Sequence, residues 1–257
     1  MSVFNAYAQF YDLLYRDKDY AQEARFVNEC LVQKGGSIAD LLELGCGTGR
    51  HAVQFSALGH SVTGVDMSPE MVEQAKNRAA QLPPERQAGL RFQTGDVRSL
   101  ELGCRFDSVV SLFHVMNYQV KNEDLKAAFS TAARHLKPGG LFLFDFWYGP
   151  AVLRDPPVVR IKHLQDETLE ATRIAEPELH PNENLVIVNY HLFLRNRYNQ
   201  EVTEVREAHP MRYLFKPELD SLLERAGFES GTFGGWLSTT PLGFNTWFGW
   251  CCARLKP

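Results

Sequence analysis

LLELGCGTGR, residues Leu41 to Arg50, is the stretch whose reading decides the fold. An apolar run from Ala39 to Leu44 reads as a short buried strand. It breaks into glycines at alternate positions, Gly45, Gly47 and Gly49, and HAVQFSALG then follows with a helical pattern. Strand, glycine turn and helix make the phosphate- or nucleoside-cradling unit of doubly wound α/β folds, where glycine lets the backbone approach a ligand closely. A dinucleotide fingerprint spaces its glycines G-x-G-x-x-G. This chain reads E-x-G-x-G-x-G, which argues against a nicotinamide cofactor.

Downstream, strands and helices alternate. Ser61 to Val65 reads as a second strand ending at Asp66. The helix Glu70 to Ala80 follows, with Ser68 as N-cap and Pro69 in the first helical position. Leu90 to Thr94 is a third strand, closed by Gly95-Asp96-Val97, and Phe106 to Leu112 is a fourth. Asn122 to His135 is an amphipathic helix, and Lys137-Pro138-Gly139-Gly140 is expected as a sharp turn into a fifth strand, Leu141 to Phe146. Apolar strands alternating with helices predict a parallel sheet covered on both faces.

From Val158 to Tyr213 the pattern changes to apolar–polar alternation, as in VVRIKHL, ENLVIVNYHLFL and QEVTEVREAH. That predicts an antiparallel β insertion after strand five, with His180-Pro181-Asn182 as one turn. Asp155-Pro156-Pro157 also reads as a turn. A helix from Lys216 to Ala226 and two last strands, near Phe228 to Gly234 and Thr246 to Arg254, complete a seven-stranded, mostly parallel sheet. At the other end, Phe4, Tyr7, Phe10, Tyr11, Leu14 and Tyr15 recur at helical spacing, and Tyr20 to Val32 reads as a second helix stopped by Gly35-Gly36. The aromatic stripe either packs on the domain or forms a lid. The expected units are an N-terminal helical segment (1–36), a core (37–150), an insertion over the site (151–213) and a C-terminal return to the core (214–257).

Composition narrows the class. Of the 257 residues 44% are hydrophobic and 23% charged, which suits a packed soluble domain. A formal net charge of -4 argues against a nucleic-acid partner. No apolar run reaches the roughly 18 residues of a membrane span, and the aromatic, acidic start is unlike a signal peptide. A cytoplasmic protein is the expectation. The five cysteines have no metal-ligand spacing, and Cys251 and Cys252 should face opposite sides of the last strand.

LLELGCGTG, GVDMSPEMVEQA, GDV and LKPGG, in that order over residues 40 to 145, resemble the motifs of the class I S-adenosylmethionine-dependent methyltransferases. The resemblance implies a Rossmann-like fold and S-adenosylmethionine as cofactor, with S-adenosylhomocysteine as product and no metal. It places Glu43 near the methionine part of the cofactor, beside the Gly45, Gly47 and Gly49 turn. A carboxylate at Asp66 accepts ribose hydroxyls, as it would in a nicotinamide enzyme too. Met67 suits the adenine face, Asp96 the adenine amino group and the Val97 amide a ring nitrogen. In the small-molecule enzymes of this kind, a segment such as FYDLLY then KDY closes over the cofactor, which adds Tyr20. The whole chain resembles the N-methyltransferases of amino-sugar nucleotides, with glycine-type N-methyltransferases sharing the plan.

Methyl transfer needs alignment, desolvation and a held nucleophile. The fourth strand's end, running from Ser111 to Tyr118, faces that event, and Leu112 there counts among the cofactor-binding residues. It lacks the (Asp/Asn)-Pro-Pro-aromatic motif of nucleic-acid amine methyltransferases. His114 is the first catalytic candidate, as proton acceptor or hydrogen-bond partner of the nucleophile, and Tyr11 is the second, as a wall for the methyl group. Asn117, Tyr118, His191 and Tyr213 are candidates for contact with the acceptor. The leading expectation is methylation of the amino group of a nucleotide-linked sugar. O-methylation with His114 as general base, and cofactor binding without catalysis, stay open, as does the choice between monomer and homodimer.

Overall fold

The computed structural model describes residues 11–35 and 39–257. Phe4, Tyr7 and Phe10 of the aromatic stripe, and Gly36, lie outside the described residues.

The glycine-turn unit is built as its sequence dictates. β1 (Asp40–Leu44), the turn and α3 (Arg50–Ala57) are followed by β2 (Ser61–Asp66) and α4 (Pro69–Ala80). Ser68 caps α4 by accepting the Met71 amide at 3.2 Å, with Pro69 in the first turn. A short α5 (Pro84–Gln87), β3 (Leu90–Thr94), β4 (Phe106–Ser111), α6 (Asn122–Arg134), β5 (Leu136–Trp147) and α7 (Gly149–Arg154) continue the chain. After the insertion come α8 (Lys216–Arg225), β10 (Thr232–Gly235) and β11 (Phe248–Arg254). The seven strands lie in the order β10-β11-β5-β4-β1-β2-β3, and only the β11 pairings are antiparallel.

Successive strand residues point to opposite faces, and the core divides accordingly. Leu42, Leu44, Phe142, Phe144 and Cys251 pack with α6 and α8, whereas Leu41, Val62, Leu143 and Cys252 pack with α3 and α4. Phe129 and Phe142 are fully buried and meet edge to face at 5.5 Å. Truncating either to alanine would cost roughly 3–5 kcal/mol.

The N-terminal segment contributes α1 (Tyr11–Leu14) and α2 (Tyr20–Gln33), the latter capped by Asp19 accepting the Gln22 amide at 2.8 Å. Between α7 and α8 stands a separate antiparallel sheet, β6 (Arg160–Gln165), β7 (Leu169–His180), β8 (Leu185–Asn196) and β9 (Val202–Arg212). Leu14 of α1 is buried against its inner face with Leu164, Leu192, Leu194 and Val205. Among the described residues no helix is long and apolar enough to cross a membrane.

Two elements differ from expectation, and one expected strand, β7, runs unbroken through a proline. Lys137 to Gly140 is no turn: β5 begins at Leu136, which pairs with Phe106, and the register slips before Ser108. The Pro-Gly-Gly run is an irregular start of a strand, with Gly139 at φ +77°. β7 is a full strand although Pro177 interrupts its alternation. The β6 pairing stops at Ala175, so Pro177 lies where that edge needs no amide donor. Phe228 makes only a single bridge to Leu255, and β10 starts four residues later.

Candidate active site

β1 is flanked by β2 and β4, so the strand order reverses beside it, and a crevice opens past the carboxyl ends there. Gly45, Gly47 and Gly49 all have positive φ, at +76°, +52° and +73°. The Gly45 and Cys46 amides both bond the Val65 carbonyl, at 2.7 and 2.9 Å, and the Gly47 amide bonds Asp66 Oδ2 at 2.8 Å. A β-carbon on Gly45 would strike Val115 at 2.4 Å, yet one on Gly47 would meet nothing within 4 Å. Gly45 is small for packing; Gly47 leaves an open seat for a ligand.

The cofactor candidates surround that seat. Asp66 has both carboxylate oxygens fixed by amides, Gly47 on Oδ2 and Ser68 on Oδ1 at 3.0 Å, and the Met67 amide bonds the same carboxylate. Burial nonetheless lifts its carboxyl above the usual range. The carboxylate keeps a lone pair for ribose hydroxyls. Glu43 is buried, with Oε2 lacking a partner among the described residues, and burial pushes its carboxyl well up. Tyr20 on α2 is buried as well, its hydroxyl equally unpartnered and its phenol raised by burial. A donor and an acceptor left unmatched beside an open cradle fit the amino-acid end of the expected nucleoside cofactor. Met67 is exposed past β2, while Val97 and Leu112 are buried. Asp96 is forked by Arg98, whose Nε lies 2.9 and 3.0 Å from its two oxygens, and that pairing holds its carboxyl low. An adenine amino group there would share an oxygen with Arg98.

His51, in the first turn of α3, is also buried. Its Nε2 meets Glu23 Oε2 of α2 at 2.7 Å, its Nδ1 lies 3.7 Å from Glu43 Oε1, and the Tyr20 ring stands 4.8 Å away. Burial lowers the imidazole despite Glu23. Burial would raise Glu23, but bonds from His51 and Lys18 outweigh it and bring its carboxyl down to about 2.

The N-terminal helix closes the other side. Thr48 in the glycine turn donates to Asp12 Oδ1 at 2.9 Å, Arg78 of α4 pairs with the same carboxylate, and Arg50 reaches the Asp12 and Tyr15 carbonyls at 3.4 Å. Tyr15 meets the Phe113 ring edge at 4.8 Å, and Tyr11 lies 6.3 Å from the same ring.

Phe113 and His114 both have positive φ, +64° and +68°. Two successive non-glycine residues in that region store strain, which active sites retain when it aims a side chain. Asp145 of β5 holds the bend: its Oδ1 accepts the His114 amide at 2.9 Å, and its Oδ2 lies 2.8 Å from His114 Nδ1. The latter contact has ion-pair distance without hydrogen-bond alignment, as catalytic contacts often do before substrate arrives. Phe248 stacks on the imidazole at 5.1 Å and Trp147 flanks it at 5.9 Å.

Tyr11 and His114 thus flank one aromatic enclosure, while the acceptor candidates separate. Tyr118 reaches the insertion, its hydroxyl 2.8 Å from His209 Nδ1, and His209 Nε2 is 3.2 Å from Glu207. Asn117 is fully buried and spends its amide on the Arg212 carbonyl at 2.5 Å and the Trp147 amide at 3.4 Å. Tyr213 is fully buried among Trp147, Val186 and Met211. His191 points away from the cleft: its neighbours Leu192 and Leu194 mark the inner face, and alternation turns it outward to Glu204, at 2.7 Å. Asn117 and Tyr213 are therefore enclosed in packing, and His191 faces outward. Sequence reasoning passed over Asp12, Glu23, His51 and Asp145 as site residues. A lone carboxylate in the aromatic run LFLFDFW was the signal for Asp145.

The sequence matches the methyltransferase-domain family over residues 41–140. Residues 41–140 carry a methyltransferase domain. It is 34% identical over 151 residues to dTDP-3-amino-3,4,6-trideoxy-alpha-D-glucopyranose N,N-dimethyltransferase of Streptomyces venezuelae, covering 58% of this chain and 60% of that protein. Identity to dTDP-4-amino-2,3,4,6-tetradeoxy-D-glucose N,N-dimethyltransferase of Saccharopolyspora spinosa is 32% over 146 residues, covering 56% and 55%. The match thus spans little more than half the length of these curated relatives. A solved S-adenosylmethionine-dependent methyltransferase from Clostridium acetobutylicum superposes with a TM-score of 0.80 over 99% of both chains, at 24% identity. The fold around the methyltransferase domain is therefore shared end to end, insertion included.

Proposed function

We propose that this chain is an S-adenosylmethionine-dependent methyltransferase acting on a small molecule, by preference the amino group of a nucleotide-linked amino sugar. The observation that carries the cofactor is the unmatched pair of buried groups, Glu43 Oε2 and the Tyr20 hydroxyl, beside the open seat at Gly47. The acceptor class rests on the two amino-sugar relatives.

Bound S-adenosylmethionine supplies a methyl group on a sulfonium. Glu43 and Tyr20 take its ammonium and carboxylate ends, and Asp66 takes the ribose hydroxyls. Tyr11, Tyr15 and Phe113 exclude water from the enclosure, where unscreened charges interact more strongly. His114, its Nδ1 turned to Asp145, presents Nε2 to the nucleophile and accepts the amine proton there.

The His114–Asp145 pair also favours a second reading, O-methylation with His114 as general base, because a hydroxyl needs its proton removed more than an amine does. Incubation with S-adenosylmethionine and a panel of amino-sugar nucleotides, small amines and hydroxylated sugars tests both. S-adenosylhomocysteine release with one or two methyl masses on an amino sugar supports the first reading. Release only with hydroxyl acceptors supports the second. Cofactor binding with no turnover on any acceptor leaves a binding protein and overturns both.

A further inference from the structure

Three carboxyl and imidazole groups run in line from the N-terminal helix to the cofactor seat: Glu23, His51 and Glu43. Glu23 is bound on one side by Lys18 and by the Trp236 indole at 3.3 Å, and on the other by His51 Nε2 at 2.7 Å. Glu23 accepts, so His51 carries its proton on Nε2 and turns the Nδ1 lone pair to Glu43, 3.7 Å away. The near oxygen of Glu43 stands just outside hydrogen-bond reach of His51, and the Ala52 amide bonds the same carboxyl. Its far oxygen, Oε2, is buried and empty-handed among the described residues. A buried carboxyl with one face on an imidazole and the other on nothing is built to receive a cation.

We propose that His51 is a positioning residue for the amino-acid end of the cofactor: held by Glu23, it takes the proton that Glu43 gives up when Glu43 Oε2 receives an ammonium group. The inference rests on the cofactor reading above. The proton leaves the Glu43 carboxyl and joins the His51 Nδ1 lone pair. No other bond changes, and the net charge of the protein is the same before and after.

The surroundings suit that transfer. Burial favours the protonated form of Glu43 and the neutral form of His51, whereas the bonds from His51 and Lys18 favour the carboxylate of Glu23. Afterwards an imidazolium lies between two carboxylates, and the ligand ammonium faces Glu43. The other charged or titratable groups around the line are Asp12, Lys18, Tyr20 and Arg50 on the N-terminal and α3 side, the Cys46 thiol of the glycine turn beside Glu43, and Asp66 of β2 and Asp145 of β5 beyond. Of these, Asp66 favours the protonated Glu43 of the empty site, and Asp145 favours the protonated His51 of the filled one. Glu23 thereby becomes a determinant of cofactor affinity without touching the cofactor.

Calorimetric titration with S-adenosylhomocysteine and with 5′-methylthioadenosine, which lacks the amino-acid end, tests this in wild type, His51→Gln and Glu23→Gln. Repeating each titration in two buffers of different ionisation heat counts the protons exchanged. Both variants are expected to bind S-adenosylhomocysteine about 10- to 100-fold more weakly, the worth of a hydrogen bond to a charged group, with methylthioadenosine affinity unchanged. Wild type should exchange almost no protons. His51→Gln should release about one per S-adenosylhomocysteine bound, because Glu43 loses its internal acceptor, and Glu23→Gln a fraction of one, because His51 remains but loses the carboxylate that stabilises its charge. Equal loss for both ligands means a merely structural His51 and overturns the proposal. So does an unchanged proton count. Wild type binding neither ligand overturns the cofactor reading itself.

Discussion

Thr48, inside the glycine turn, donates its hydroxyl to the Asp12 carboxylate of the first described helix at 2.9 Å. That bond fastens the N-terminal segment to the cofactor cradle, with Arg78 on the other carboxylate oxygen. Asp12→Ala is expected to speed limited proteolysis before α2 about fivefold, the effect of ~1 kcal/mol on a local opening. Adding S-adenosylhomocysteine should slow cleavage of the wild type. Equal cleavage with and without it would sink the lid.

In the proposed mechanism His114 and Asp145 divide one task between a base and its holder. His114→Ala should lower turnover by about 10²-fold or more, with little change in S-adenosylhomocysteine affinity. Asp145→Ala should also lower turnover, but it additionally removes the acceptor of the His114 amide and releases the strained Phe113–His114 bend, so its KM for acceptor should rise. Steady-state kinetics in both substrates check the split. A loss of cofactor affinity equal to the loss of turnover would remove His114 from catalysis.

Gly45 and Gly47 have similar backbones and different surroundings. Alanine at 45 meets Val115 in addition to the left-handed penalty, so Gly45→Ala should lose stability by about 2–4 kcal/mol. Gly47→Ala should lose only about 1–2 kcal/mol, the left-handed penalty alone, yet bind S-adenosylhomocysteine at least tenfold more weakly because its methyl fills the seat. Thermal melts and calorimetry separate the two effects.

Acid should act through Glu23. Its carboxyl is depressed from 4.5 to about 2, so the stability it contributes is full above pH 4.5 and is lost as pH falls toward 2. His51, whose imidazole is lowered, adds destabilisation in the same direction below its ordinary value of 6.5. Melting-temperature differences between wild type and Glu23→Gln, followed from pH 7 to 2.5, should be largest at pH 5–7 and shrink below 4.5. A constant difference would mean that Glu23 acts through packing alone.

The alternating core was legible because buried parallel strands and amphipathic helices write themselves as periodicity, from Leu41 to Leu143. The glycine turn and Asp66 were legible because backbone geometry at a strand end restricts residue type. Lys137 to Gly140 misled because Pro-Gly-Gly has the same composition in a turn as in a bulged strand, and only the Phe106 pairing distinguishes them. Glu23, His51 and Asp145 were hidden for another reason. Each is polar within an otherwise apolar buried surface, and its role depends on a partner 28 to 31 residues away or more. His191 is turned from the inner face by one position: on a strand, a single residue's offset reverses the face.

The insertion leaves and rejoins the core at adjoining points. Tyr148 bridges Leu214, the Gly149 amide bonds the Leu214 carbonyl and the Leu214 amide bonds the Trp147 carbonyl, both at 2.9 Å. The four-stranded sheet therefore hangs from a closed neck, and the core would see the same two ends whatever length of chain ran between them. A cap joined in this way can be exchanged, enlarged or redesigned with no change to the strands that hold the cradle. Under the proposed function, acceptor preference can then diverge along one stretch of sequence while cofactor use stays fixed in another, and graft chimaeras joined at Tyr148 and Leu214 test that division.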